Sequence, residues 1–297
     1  MKREMKAFTT NGLRRGGVAI ILALAAGAPS QHAVAADEGD SPPPALMDRE
    51  FLVAFGGFFP RIQSTVTLTS PRGNGREFSG ENVGLDKSMS SAWIHFNWRF
   101  KPRHQFQAEW FLLDRDGART ADRALEIGDT VIGVGASLES EFDLNVGRLT
   151  YGYSVVRNEK LDIAFLVGAH IATAKVSVSA AGNVSVNGTP VVGGSTTESS
   201  GTKTFPLPHI GGSATYAFTP RFTGELAALV FALDLGDYSG SLFEVDAFLA
   251  YQLTKHFGIG GGLKYFNLDL EADSSRGGSV AYKYEFFGPA VFGYVSF

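Results

Sequence analysis

The 297-residue chain holds six histidines, His32, His95, His104, His170, His209 and His256, and no cysteine. None of the six follows an Asp by two residues, so the Asp-x-His pair that activates a water between acid and base is absent. None is followed by a Ser two residues on, so a His-x-Ser nucleophile pair on one strand face is absent too. Asp114-Arg115-Asp116-Gly117 has the opening of a calcium loop, but Leu125-Glu126 offers the closing carboxylate at the wrong spacing, and a solvated turn accounts for it better. The glycine run Gly258 to Gly262 would suit a phosphate loop only with a helix behind it, and it stands instead at a strand start. No catalytic residue, metal ligand or cofactor is therefore expected. What remains is a set of charges on the polar faces of alternating segments: Arg99, Glu109, Glu225, Glu244, Asp246, Lys264, Lys283 and Glu285.

Segments with a period of two position these charges. Ile94, Phe96, Trp98 and Phe100 alternate with Trp93, His95, Asn97 and Arg99, and Phe106, Ala108, Trp110 and Leu112 alternate with Gln105, Gln107 and Glu109. Leu161 to Ile171 and Phe243 to Leu253 repeat the pattern, the latter with Glu244 and Asp246 on its opposite face. Several segments reach the roughly nine to eleven residues that cross a bilayer obliquely. Tight polar turns at Lys101 to His104, Arg157 to Lys160, Thr219 to Arg221 and Thr254 to His256 alternate with long connections around 60 to 90, 114 to 135 and 178 to 205, rich in Gly, Ser, Thr and Asp. Strands are expected at 51–59, 91–100, 105–113, 139–156, 161–177, 206–218, 222–234, 241–253, 258–270 and 279–297. The fold class is all-β: a closed antiparallel up-and-down transmembrane β-barrel of about ten strands, with eight or twelve as alternatives; Ile62 to Thr69 either extends the first strand or forms a hairpin in the loop. In the last segment Tyr282, Tyr284 and Phe286 fall on one parity and Val291, Val295 and Phe297 on the other. Gly288-Pro289 between them is the expected site of a bulge.

Composition narrows the classes. Mean hydropathy is +0.02, yet past residue 28 no apolar stretch has the roughly 18 to 20 residues of a spanning helix. Net charge is −4 with the signs interspersed, so no basic face suggests nucleic acid. Lys2, Arg3, Lys6, Arg14 and Arg15 precede the apolar Val18 to Ala28 and the small-x-small triplet Ala33-Val34-Ala35, the layout of a secretory signal over residues 1–35. Its removal takes away five basic residues and Glu4, leaving 262 residues near −8. Residues 36–49, with Pro42-Pro43-Pro44, read as a periplasmic linker, and 50–297 as the barrel.

The closing residues Val291 to Phe297 resemble the C-terminal signature of bacterial outer-membrane barrels, in which a terminal Phe ends an aromatic-rich strand; Phe297 and Val295 are then the membrane-insertion signal. Over its mature length the chain resembles the small outer-membrane β-barrel proteins of Gram-negative bacteria. Leu113 to Thr120 with Ile127-Gly128-Asp129, and Thr254 to Gly262, resemble segments of a widespread group of such barrels to which no agreed activity attaches. The resemblance implies an integral outer-membrane protein with extracellular loops and periplasmic termini, whose partners are outer-membrane lipids and the barrel-assembly machinery. Omptin-type proteases and outer-membrane phospholipases share the architecture, but the residue pairs they need are those missing above. Charges facing lipid at mid-membrane cost about 2 to 4 kcal/mol, so the eight charges are expected to point inward and pair across a narrow lumen. That implies a largely plugged barrel with a structural or surface-binding role. A narrow porin-like channel for small solutes is the alternative, and an outer-membrane hydrolase the third reading.

Overall fold

The computed structural model describes residues 46–69, 75–122, 124–127, 130–186, 189–190, 197–234, 238–273 and 279–297; the expected signal segment and the first ten residues of the expected linker lie outside these. Sixteen strands follow a short 3-10 turn at Leu46–Asp48. They are β1 (Phe51–Phe58), β2 (Arg61–Thr69), β3 (Gly75–Ser79), β4 (Ser91–Lys101), β5 (His104–Thr120), β6 (Leu125–Ile127), β7 (Thr130–Ile132) and β8 (Ser137–Arg157). They continue as β9 (Leu161–Ala181), β10 (Val184–Val186), β11 (Thr189–Pro190), β12 (Thr197–Thr219), β13 (Phe222–Asp234), β14 (Tyr238–Gln252), β15 (Phe257–Asp273) and β16 (Ser279–Ser296).

Twelve of these form one sheet in the order β1-β4-β5-β8-β9-β12-β13-β14-β15-β16-β2-β3, and the pairing of β1 with β16 closes it. β1 and β2 continue each other along β16, from Leu52↔Ser296 through Phe58↔Ala290 and Arg61↔Phe287 to Thr69↔Ser279. Pro60, which has no N–H to donate, interrupts the ladder without shifting it. With β1 and β2 counted as one wall strand and β3 as a hairpin laid on it, the barrel has ten strands, and Ile62 to Thr69 extends the first.

The four tight turns share one end. Around that rim the Ser154 N–H donates to Arg103 O, Ala217 to Lys160 O, Gln252 to Arg221 O and Ser296 to His256 O, each at 2.8 Å, and Glu50 donates to Phe297 O at 2.9 Å. At the opposite, loop end the walls run further than expected. The β5–β8 ladder continues from His104↔Tyr153 to Thr120↔Ser137, and β9–β12 from Leu161↔Tyr216 to Ala180↔Thr197. Much of 114–135 and 178–205 is thus strand rather than loop, and β11-β10-β7-β6 make a second small sheet there. Asp114 to Gly117 lies inside the ladder opposite Asp143 to Ser140, not in a turn. Thr and Val carry strand propensity that their polar surroundings mask in the sequence.

The outer wall explains why the walls outrun their apolar pattern. Exposed apolar side chains form a band, for example Ile163, Phe165, Val167 and Ile171 on β9 and Phe287 and Val291 on β16. At the turn end an aromatic girdle edges it, with Phe51 stacked on Trp98, Phe100 on Phe106, and Phe218 on Phe222. Toward the loop end the same outward positions become polar: Asp114 on β5, Asp143 on β8, Lys175 on β9, and Lys283 and Glu285 on β16. The inward positions change the other way. In the band they carry charges; above it they carry Leu138, Phe142, Leu144, Phe266, Leu268, Tyr284 and Phe286, all buried. The apolar face changes sides at the band's edge while the register does not.

That inversion corrects two expectations. The β15–β16 ladder runs without a shift from Phe257↔Val295 to Asp273↔Ser279, so Gly288-Pro289 holds no bulge. The parity change in the sequence marks the edge of the band instead. Lys283 and Glu285 face outward, not into the lumen, because above the band an outward charge meets water rather than hydrocarbon and has no reason to turn in.

Candidate functional site

Inward positions of four band segments converge on one ionic cluster. β5 contributes Glu109 and β8 contributes Arg148. β14 contributes Glu244 and Asp246, which share a face because they are two residues apart, and β15 contributes Lys264. The Arg148 guanidinium donates to Glu109 Oε2 at 2.8 Å, Glu244 Oε1 at 2.5 Å and Asp246 Oδ2 at 3.1 Å. Lys264 Nζ donates to Glu109 Oε1 and Asp246 Oδ1, both at 2.8 Å, and lies over the Trp93 and Phe248 rings at 5.9 and 5.6 Å. Arg148 and Lys264 therefore alternate with Glu109 and Asp246 in a closed ring of four, with Glu244 joined on through Arg148. Imidazoles extend the cluster: His170 Nε2 is 2.6 Å from Glu244 Oε2, the His170 and His209 Nδ1 atoms are 3.1 Å apart, and His209 Nε2 is 3.0 Å from Thr150 Oγ1.

Each end of the lumen holds a different layer. Toward the loop end, Phe286 stacks on Phe266 at 4.9 Å and meets Phe58 and Phe111 edge-on at 5.3 and 5.7 Å, while Phe142 stacks on Tyr284 at 5.6 Å. Beyond the rings, buried Arg115 donates to Ser64 Oγ and to the Asp86 carbonyl. Toward the turn end, Asp162 accepts from Arg99 and Arg157 at 2.7 Å each. Arg157 also holds Asp48 at 2.9 Å and the Met47 carbonyl, which docks the Leu46–Asp48 turn across the mouth with the Met47 side chain buried. Between this mouth and the ionic ring lies a cavity of about 100 Å³.

Two arrangements within the cluster bring together residue types that could do chemistry. Glu109, Glu244 and Asp246 bring ligand oxygens within 4.8 Å of one another, a donor set for a cation, but Arg148 and Lys264 already hold those oxygens. Thr150-His209-His170-Glu244 has the order of a hydroxyl, base and carboxylate relay, with Thr150 buried at 1% exposure.

Of the eight charges expected in one lumen network, Glu109, Glu244, Asp246 and Lys264 do meet. Arg99 faces inward but belongs to the separate Asp162 cluster at the mouth. Glu225 lines the cavity without an ion-pair partner among the described residues. Lys283 lies 3.5 Å from Asp269 on the exposed outer wall, and Glu285 is outside with it. Sequence reasoning missed Arg148, His170 and Asp162. Arg148 stands in β8, where Glu141, Asp143 and Asn145 occupy the outward parity above the band, so the alternation hides which face is inside; the signal was Leu149, Tyr151 and Tyr153, which set the apolar face for the band half of that strand. Phe297 points outward and is exposed, its N–H donating to Phe51 O at 2.9 Å and its ring 5.2 Å from His256; Val295 is half-buried on the same parity.

No protein-family model matches the chain, and no curated protein sequence does. Solved structures do. The outer-membrane protease OmpT of Escherichia coli superposes with a TM-score of 0.51 at 11% identity, covering 84% of this chain and 97% of that one. The fold is that of the outer-membrane β-barrels. OprG of Pseudomonas aeruginosa (TM-score 0.36, 10% identity, 84% and 97% covered) and Ail of Yersinia pestis (0.31, 12%, 82% and 99%) also match. At these identities the likeness is one of architecture alone.

Proposed function

We propose that this chain is an integral outer-membrane barrel with a closed lumen, whose structural or surface-binding role is carried by the strands that project past the loop end. The ionic ring carries this reading, because five charges from four strands meet in the middle of a narrow barrel and an aromatic layer stands directly behind them. The alternation of short turns with long excursions supports periplasmic turns and termini, and an extracellular loop end. Outer-membrane lipids then contact the apolar band, and the assembly machinery reads Phe297. We further propose that the barrel is not an enzyme, since its hydroxyl, imidazole and carboxylate groups are joined to one another away from any substrate.

Purified protein in planar bilayers should show small or intermittent conductance and no lipid or peptide hydrolysis. Large, steady conductance would promote the second reading, a narrow channel. The cavity on the turn side of the ring favours that alternative, because it shortens the packed part of the lumen. Hydrolysis would reinstate the enzyme. Deleting Phe297 should lower outer-membrane levels of the protein, and normal levels would remove its role in insertion. Protease added to intact cells should cut within 178–205 before the turn at Lys101 to His104; the reverse order would invert the orientation.

A further inference from the structure

The cavity between the mouth and the ionic ring contains groups that the seal leaves unused. Its lining includes Trp93, Asn97, Glu225 and Phe248. Trp93 Nε1, a donor, and Asn97 Oδ1, an acceptor, are buried without a hydrogen-bond partner in the protein. Leaving such groups unpaired is costly, so they mark where a polar solute gains. Glu225 stands cross-strand from Phe248, and both line the cavity.

The charges around the cavity fall one short. The carboxylates that line it or pair with its lining are Glu109, Asp162, Glu225, Glu244 and Asp246. The permanent cations that do so are Arg49, Arg99, Arg148 and Lys264, with the His95 imidazole also in the lining, 3.6 Å from Glu109. All of these carboxylates but Glu225 have an ionic partner. Glu225 is the cavity-lining carboxylate without an ionic partner among the described residues, and a single small cation would supply one. Size limits what supplies it: a cavity of about 150 Å³ admits the six carbons of benzene, so one of about 100 Å³ admits roughly four non-hydrogen atoms.

We propose that this cavity binds a small hydroxylated ammonium ion of ethanolamine size, reached from the turn end past Met47. The ammonium pairs with Glu225 against the Phe248 ring, and the hydroxyl accepts from Trp93 Nε1 and donates to Asn97 Oδ1. The site lies on the turn side of the ionic ring, so it exists whether or not the lumen conducts.

The chain has three tryptophans, and Trp98 and Trp110 face outward, so the double variant Trp98→Phe/Trp110→Phe leaves Trp93 as the sole reporter. Ethanolamine titrated into this protein in detergent should change Trp93 emission saturably. Propylamine, which lacks the hydroxyl, should bind about tenfold more weakly, and ethylene glycol and acetate should leave the emission unchanged. Adding Glu225→Gln should weaken ethanolamine at least tenfold while the protein keeps the gel mobility of a folded barrel. Calorimetric titration of the unmodified protein should give the same ranking without any tryptophan change. Absence of saturation by either amine in both measurements, equal response to ethylene glycol, tighter binding of acetate, or a response indifferent to Glu225→Gln would each overturn the assignment.

Discussion

Two lysines on separate wall strands, Lys264 on β15 and Lys175 on β9, make ion pairs with the same kinds of partner and live in opposite surroundings. Lys264 reaches Glu109 and Asp246 at 2.8 Å with its side chain 1% exposed; Lys175 reaches Glu141 at 3.2 Å and Asp143 at 3.3 Å with its side chain 45% exposed. The first pair sits inside the wall at the level of the apolar band, the second outside the wall beyond it. Water screens the exposed pair and solvates either partner when the other leaves. In the ring every partner is buried, so loss of one leaves a charge in a medium of lower dielectric than water. Position relative to the band, more than residue type, decides what an ion pair does for this barrel.

The largest break in that contrast is Arg148→Met. It leaves Glu109, Glu244 and Asp246 facing a single cation, Lys264, and the loss of one partner from a buried pair costs about 3 to 5 kcal/mol. Urea unfolding in lipid vesicles should show that drop, or the variant should fail to assemble; an unchanged midpoint would mean that the ring is hydrated and not a seal. A paired replacement sharpens the point. Lys264→Met with Asp246→Leu removes one charge of each sign, so it should cost less than Lys264→Met alone, because no new carboxylate is stranded. If the double variant is the worse of the two, the ring is a net source of stability and not merely a closed set of mutual dependencies.

The aromatic layer supplies a smaller test in the same lumen. Tyr284 is fully buried and its hydroxyl finds no partner, so its oxygen bears a desolvation cost with no bond in return. Tyr284→Phe should raise stability by about 1 kcal/mol, measured on the same urea titration. A loss of that size would show that the hydroxyl bonds to water in the folded barrel, and that the aromatic layer is wetter than its packing implies.

Much of this was readable from alternation. The ten wall strands, the four tight turns and the meeting of Glu109, Glu244, Asp246 and Lys264 all follow from apolar-out, polar-in alternation within the band. Beyond the band that rule reverses, since an outward side chain meets water and an inward one meets a packed core. Tyr282, Tyr284 and Phe286 therefore looked lipid-facing when they fill the lumen, and Lys283 and Glu285 looked inward when they face solvent. Arg148 was missed for the same reason, because its strand carries both phases. The mouth was unreadable on other grounds: the contacts of Arg157 with Asp48 and Met47 join residues 109 and 110 apart, and nothing in local pattern specifies them.

The smallest expected effect lies on the outer wall. Lys175→Met removes the cation from a solvent-facing patch that also holds Glu141 and Asp143, with Asp114 opposite Asp143 on the next strand. Three carboxylates lose one neutralising neighbour, so repulsion grows, but each keeps its hydration and salt reduces what remains. The urea midpoint should stay within error of the parent protein at 0.15 M salt and fall measurably only when the salt is lowered. Its counterpart Lys264→Met should show the reverse behaviour, a large shift that salt does not change, because counterions do not enter the ring. If salt rescues Lys264→Met as well, the lumen is open to ions at the level of the ring, and the distinction between the two lysines becomes one of degree.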